Sequence, residues 1–521
     1  MSAAAAPTQQ AGPPRGIAPP RSTFRRIALY GAARAAIAGV LAIRGLVLAT
    51  LLGPAAFGGW ALIRLGLGYA GFAALGIHRG LELELTRARG RFETGAARDG
   101  PARAALGYVL VVFGAIAAVA LAASFAVTEP ERAFELRAFA AAVLAEQLYV
   151  YGLIALRVQA NLRRYAGLEF AHAVLQLVCT LGLAVRWGLD GALVGLVIGN
   201  VLSLGLLPGM VPLRPAFDVA SVRRLLSVGV PFAIALGLAR LLSSVDRLTV
   251  VTLGGRVMLG YYAFAVAVAG LAAAVGWVIR TVVFPEVYHR METAGAARAV
   301  REHVERSILP FVQLFPPILG LGALALRPAL ALLAPRYAPA APAGELFIFS
   351  GVAAGLASLG AVGLVAAERQ RVLPVFAGAG TALNLVLSLT ALRLGLGLEA
   401  VAAGALLSQT AYGGAVLVVN LKSAEGSPGA AAARATACRA VLPLAWCAVS
   451  VLAVRRVWPG ADVSSTALAA AAYLVLLVPL VPRLAAAARR AMIRGGMARG
   501  AMLRDAPAPR AAPRAGAGDV V

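Results

Sequence analysis

The sequence predicts an all-α polytopic membrane protein of about 14 transmembrane helices. Two six-helix lobes, related as parallel repeats, surround a central site, and two further helices follow at the C-terminus. Three observations carry this expectation. First, 60% of the 521 residues are hydrophobic and the mean hydropathy is +0.82, well beyond a soluble domain. Second, the chain divides into apolar runs near the ~20 residues that one crossing needs. Third, one element is used twice. Leu51-Leu52-Gly53-Pro54-Ala55-Ala56-Phe57-Gly58-Gly59-Trp60-Ala61 is matched by Leu253-Gly254-Gly255-Arg256-Val257-Met258-Leu259-Gly260-Tyr261-Tyr262-Ala263. Each follows a long apolar helix with an arginine in its outer half, Arg44 and Arg247, and each leads straight into another helix. Aligned by their glycines, the two turns need a one-residue gap. An internal repeat in a membrane protein is the signature of a transporter that rocks two halves about a central site.

The spans fall at approximately 27–52, 59–79, 104–127, 137–157, 166–185, 190–212, 228–252, 258–282, 308–333, 343–366, 373–394, 398–420, 436–456 and 465–484. They organise the chain into an N-terminal tail (1–26), an N-lobe (27–212), a linker (213–227), a C-lobe (228–420), a pair of extra spans with their preceding loop (421–484) and a basic tail (485–521). Both tails lack an apolar core and are expected to be disordered. Because each lobe has an even number of spans, both run in the same direction.

Arginine is concentrated on one side. Arg87, Arg89, Arg91, Arg98 and Arg103 share one loop and Arg290, Arg298, Arg301 and Arg306 another, whereas the alternate loops hold few, such as Arg132, Arg186, Arg256 and Arg336. The positive-inside rule then places both termini in the cytoplasm. It also accounts for the net charge of +25 without nucleic acid as a partner. The single lysine, Lys422, among 48 basic residues and the heavy use of Ala, Gly, Arg and Pro resemble GC-rich bacterial coding. The expected location is therefore a bacterial inner membrane.

Catalytic signatures are missing from the sequence. There is no GxxxxGK phosphate loop. Cys179, Cys438 and Cys447 lack metal-ligand spacing and read as packing residues. His78, His172, His289 and His303 show no zinc spacing. The chain reads as a transporter needing no cofactor or metal.

The informative residues are ionisable groups within spans: Arg34, Arg44, Arg64, Glu146, Arg240, Asp246, Arg247 and Arg280. An arginine at the bilayer centre costs about 2.5–3.5 kcal/mol on insertion scales, so each must snorkel, pair or line a polar cavity. Arg34 and Arg280 lie near the cytoplasmic ends of their spans and are expected to snorkel. Arg44, Arg64, Arg240 and Arg247 are the candidates for a cationic cavity. Arg240, Ser243, Ser244 and Arg247 follow the i, i+3, i+4, i+7 spacing of one helix face. Asp246 borders that stripe. It fits either a buried pair with Arg247 or a neighbouring arginine, or a carboxylate gate beside an anion site. Asp246 and Glu146 are the candidates for gating or ion coupling. Gln147, Gln176, Asn200, Asn384 and Gln409 lie near mid-span and fit helix–helix hydrogen bonds or, together, the lining of a sugar cavity. Tyr149, Tyr151, Tyr261 and Tyr262 fit sugar stacking or the membrane interface.

The run Leu51 to Gly58 after an arginine-bearing first span resembles the polysaccharide and O-antigen flippases of the multidrug/oligosaccharidyl-lipid/polysaccharide exporter superfamily. So do Gly229-Val230-Pro231, Asp246-Arg247 and Leu259-Gly260-Tyr261-Tyr262. The resemblance covers roughly 25–485. It implies two six-helix lobes opening alternately to each side. The implied substrate is an oligosaccharide on a polyprenyl diphosphate, held by Arg44, Arg240 and Arg247. Its context is surface polysaccharide or lipopolysaccharide synthesis, with a polymerase and chain-length proteins as further partners beside the membrane lipids. A planar guanidinium suits diphosphate oxygens. Multidrug antiporters of the same superfamily favour acidic cavities, against which the arginine surplus argues. A membrane-embedded polysaccharide polymerase, the third alternative, would more naturally carry a large external loop.

Overall fold

The computed structural model describes residues 21–90, 96–159, 162–207, 214–426 and 429–489. Residues 1–20 and 490–521 of the tails expected to be disordered, residue 213 of the linker and the loop residue Arg91 lie outside that set. The described residues form helices joined by short turns, without a strand. They are α1 (Arg21–Ala70), α2 (Ile77–Gly90), α3 (Ala96–Ala126), α4 (Pro130–Gln159), α5 (Leu162–Gly205), α6 (Val219–Leu242), α7 (Val245–Ala294), α8 (Ala296–His303), α9 (Leu309–Leu324), α10 (Leu326–Leu333), α11 (Ala341–Ala366), α12 (Val372–Arg393), α13 (Gly397–Ser423), α14 (Ala430–Val457) and α15 (Val463–Leu477).

Twelve helical segments among the described residues are long and apolar enough to cross a membrane. Three of them, in α1, α5 and α7, reverse direction at a glycine turn. In α5, Trp187 and Gly188 leave helical geometry. The chain then folds back so that a Cβ on Gly191, Gly195 or Gly199 would press on Leu183, Cys179 or Gln176 respectively. These pairs step apart in register, as two antiparallel limbs require. In α1, Gly53 sits at φ 71°, a region glycine reaches without steric cost. The guanidinium of Arg44 then lies 5.7 Å from the Trp60 ring. Those residues would be about 24 Å apart along a straight helix, so the two limbs form a hairpin. Counting each limb of the three hairpins, with α6 and the short first limb of α7 (245–254) taken together as one crossing, gives the fourteen crossings expected.

The second copy of the turn behaves alike. Gly255 sits at φ 74°, and Asp246 accepts a 2.7 Å hydrogen bond from the Tyr262 hydroxyl across it. The positions match without a gap at an offset of 202: Gly53 with Gly255, Arg44 with Asp246, Trp60 with Tyr262. The one-residue gap expected from the sequence is therefore corrected. So is the pairing of Arg44 with Arg247, since Asp246 stands at the equivalent position. The two turns also touch reciprocally. A Cβ on Gly58 would overlap the carbonyl oxygen of Arg256, and one on Gly260 would overlap that of Pro54. These contacts are interchanged by the same offset, which places a local two-fold axis between the turns.

Within the first half α1 packs on α5, and α4 on α3 and α5. Within the second, α11 packs on α7 and α13, and α12 on α6 and α13. The halves meet along α1 and α7 and where α2 and α3 reach α6. Gly76 and Gly229 meet backbone to backbone at that second contact. α14 and α15 attach to the second half through α9. A buried triad fastens them. Glu345 receives Arg327 at 2.8 Å and Arg455 at 3.0 Å, and the side chains of Glu345 and Arg455 are only 1% and 2% exposed. Arg455 also donates to the carbonyls of Leu324 and Gly460. Burying an excess guanidinium is tolerable only with such a carboxylate and carbonyl acceptors at hand.

One predicted span is corrected. The run 228–252 is not a single helix: α6 ends at Leu242, Ser243 and Ser244 form a turn, and α7 starts at Val245. The two serine hydroxyls donate to the Arg240 carbonyl at 2.9 and 2.7 Å. Side-chain donors thereby serve part of what the helix end leaves open.

Candidate functional site

The helix break puts Arg240 and Arg247 on either side of a turn rather than on one continuous helical stripe. Arg247 donates from Nη2 to the Ser243 carbonyl at 2.6 Å, and its Nε is buried without a partner. Arg240 lies against the second limb of α1: a Cβ on Gly68 would be 3.2 Å from its Nη2. A larger residue there would displace the guanidinium. Among the described residues no side-chain acceptor is hydrogen-bonded to Arg240. Tyr69, one residue beyond Gly68, bonds Ser244 Oγ at 2.8 Å and ties the first half to the broken helix.

Arg64, from the same limb of α1, donates to Glu146 Oε2 of α4 at 3.1 Å. This pair sits within electrostatic reach of Arg240 on one side and of Arg44 on the other. Arg44 donates to Gln176 Oε1 at 3.2 Å and faces the Trp60 ring. Gln176 in turn donates to Asn200 Oδ1 at 2.8 Å and to the Leu196 carbonyl, so the α5 hairpin sets the position of Arg44. The two halves thus bring Arg44, Arg64, Arg240 and Arg247 around one region in which, among the described residues, the ion pair is that of Arg64 with Glu146. In a low-dielectric setting such a surplus of guanidinium is stabilised by an anion with several oxygens.

Asp246 makes its hydrogen bonds elsewhere. Its side chain is turned into the core, 1% exposed, where it accepts from the Tyr262 hydroxyl and from the Arg247 backbone N–H at 2.8 Å. No side-chain ion pair joins it to Arg247. Arg34, expected to snorkel, pairs instead with Glu169 of α5. Arg280 reaches the Ser358 hydroxyl at 3.5 Å.

The neutral polar candidates divide. Gln147 is buried and bonds His78 at 3.2 Å. Gln176 and Asn200 bond each other inside the α5 hairpin, and Gln176 also accepts from Arg44. Asn384 is fully buried and donates to the Leu242 carbonyl at 3.0 Å, joining α12 to the end of α6. Gln409 is half-buried on α13. The tyrosines that fitted sugar stacking or the membrane interface are mostly interior. Tyr151 is buried and donates to the Ala102 carbonyl, Tyr262 is buried on Asp246, and Tyr149 stacks on His172 at 4.0 Å. Sequence reasoning missed Trp60, Tyr69, Glu169 and His172. Glu169 carried a usable signal, as a carboxylate inside the predicted fifth span.

The sequence matches the family described as polysaccharide biosynthesis protein over residues 47–342. No curated relative matches it. Solved structures share the fold at low identity. The lipid II flippase MurJ in an inward closed conformation superposes with a TM-score of 0.59 at 11% identity, over 88% of this chain and 99% of that one. An inward-facing multidrug resistance MATE family transporter of the MOP superfamily gives 0.54 at 14%, over 77% and 96%. A MOP superfamily transporter from Pyrococcus furiosus, described by the reverse polarity of its binding pocket, gives 0.51 at 16%, over 76% and 95%. The extent of the family match shows that this chain belongs to the polysaccharide biosynthesis protein family, built on the fold of the MOP-superfamily exporters.

Proposed function

We propose that this protein is a flippase that moves a polyprenyl-diphosphate-linked oligosaccharide across the bacterial inner membrane by alternating access. The observation that carries the reading is the convergence of four arginines from both halves on one region where, among the described residues, Arg64 alone of the four is ion-paired, to Glu146. A cationic drug would be repelled there; a diphosphate would be bound bidentately. In this reading Arg240 and Arg247 take one phosphate, and Arg64 and Arg44 the other. Glu146 acts as the gate: it holds Arg64 until a phosphate oxygen displaces it. Asp246 holds the helix break in place through Tyr262. Gln409, half-buried on α13, is left as a contact for sugar.

The prenyl chain stays in lipid between the first limb of α1 and the second limb of α7. Gly39, Gly45 and Gly270 on those limbs have open space where a Cβ would lie, which favours access there. Both termini are cytoplasmic, and a polysaccharide polymerase with its chain-length proteins consumes the flipped product. Native mass spectrometry of the purified protein tests the reading. It should detect a bound polyprenyl-diphosphate glycan that is lost on the double substitution R240A/R247A. A bound cationic solute, or a glycan retained by the double variant, would overturn it.

A further inference from the structure

Two clasps cross the contact between the halves, one on each side of the local axis, and they differ in chemistry. On one side Arg256, just after the Gly255 turn, grips Glu135 of α4 through two parallel bonds, Nη1–Oε1 at 2.8 Å and Nη2–Oε2 at 2.6 Å. The Glu135 side chain is 6% exposed and packs over Gly59, where a Cβ would be 3.3 Å from its Oε1. On the other side Tyr337 is buried against Tyr261, the residue 202 positions beyond Gly59. Its hydroxyl donates to the Ala49 carbonyl of α1 at 2.9 Å. The axis therefore exchanges a charged clasp for a neutral one. Between them lie Gly58 and Gly260, each in backbone contact with the opposite turn, with no room for a side chain.

We infer that Glu135–Arg256 is a breakable ionic latch that holds the halves together on the face of the Gly53 and Gly255 turns, and that it must open for the substrate site to reach that side. Gly58 and Gly260 are the surfaces on which the latched halves close. The inference rests on the reading that the halves rock against one another, but not on any particular cargo. A bidentate guanidinium–carboxylate pair is directional, so it releases over a short separation. It also places a carboxylate that is costly to leave unpaired next to the core, so the closed state is favoured whenever the glycines allow contact. The tyrosine clasp, with one neutral hydrogen bond, adds less.

The test is a distance measurement on the full chain without substrate. Cys179, Cys438 and Cys447 are replaced, and spin labels are placed at Arg132→Cys and Leu394→Cys. Both positions are exposed, lie on the turn face and belong to opposite halves. Electron–electron dipolar spectroscopy then reads the separation of the halves in liposomes. Glu135→Gln is expected to raise the ratio of long to short distances by about tenfold, the effect of losing one charge-assisted interaction. The exchange E135R/R256E is expected to restore the parent distribution. Gly58→Ala and Gly260→Ala, which leave the ion pair's chemistry untouched, should shift it the same way as Glu135→Gln. Distributions unchanged by Glu135→Gln and by both glycine variants would overturn the latch. So would an exchanged pair that stays as open as the single variant. A latch that behaves as expected alongside absent glycan binding would instead refute the proposed cargo.

Discussion

Replacing Arg240 and Arg247 together by alanine separates binding from folding unusually well at this site. Arg240 donates no hydrogen bond to another described side chain, and Arg247 donates to the Ser243 carbonyl, four residues earlier in its own chain. Removing both therefore leaves no carboxylate unpaired, and the melting temperature of the purified protein should barely change. Binding should change strongly. Each charge-assisted contact to a phosphate contributes about 1.5–3 kcal/mol, so loss of one guanidinium weakens binding by roughly 10- to 150-fold. Two adjacent residues share a ligand and will not add strictly, which makes about 100-fold a conservative expectation for the double variant. The assay is equilibrium binding of a short-chain prenyl diphosphate to the protein in detergent, beside a thermal melt of the same samples. Arg240→Lys keeps the charge but loses the fork, and should fall between parent and alanine. Unchanged affinity in the double variant would refute the reasoning, and so would an affinity loss that merely tracks a collapse in melting temperature.

Two further expectations follow from contacts elsewhere. Glu345→Gln leaves Arg327 and Arg455 short of their shared carboxylate in a buried site. It should cost about 3–5 kcal/mol in chemical or thermal unfolding, and a neutral outcome would mean that the triad does not fasten α14. Gly195→Ala drives a methyl into the Cys179 carbonyl inside the α5 hairpin. A loss of about 1–3 kcal/mol is expected by the same measurement, with Gly182→Ala, which meets open space, as the silent control.

The fold class was legible because composition and span length decide it. Few soluble arrangements tolerate this much apolar sequence. The reversals were legible as glycine, but their register was not. Gly254-Gly255 offers two ways to align with Gly53, and only the contacts among Pro54, Gly58, Arg256 and Gly260 choose between them. The helix break at Ser243–Ser244 was hidden by its own stripe. Polar residues at i, i+3, i+4 and i+7 read as a helix face, while serines that bond back to the Arg240 carbonyl bring about the turn. Arginine partners were the least legible. Arg34 finds Glu169, Arg64 finds Glu146 and Arg256 finds Glu135 across more than 80 residues of chain. Hydropathy carries no information on such pairings. It singles out an intramembrane charge as costly without saying which neighbour offsets the cost.

The central claim is that the arginine-lined region serves a lipid-linked glycan. It is tested most directly in cells depleted of this protein, by mass spectrometry of their lipid extracts. Complete polyprenyl-diphosphate repeat units should accumulate while surface polysaccharide falls, and the parent gene but not R240A/R247A should reverse both. Unchanged levels of lipid-linked glycan and of surface polysaccharide after depletion would contradict the account.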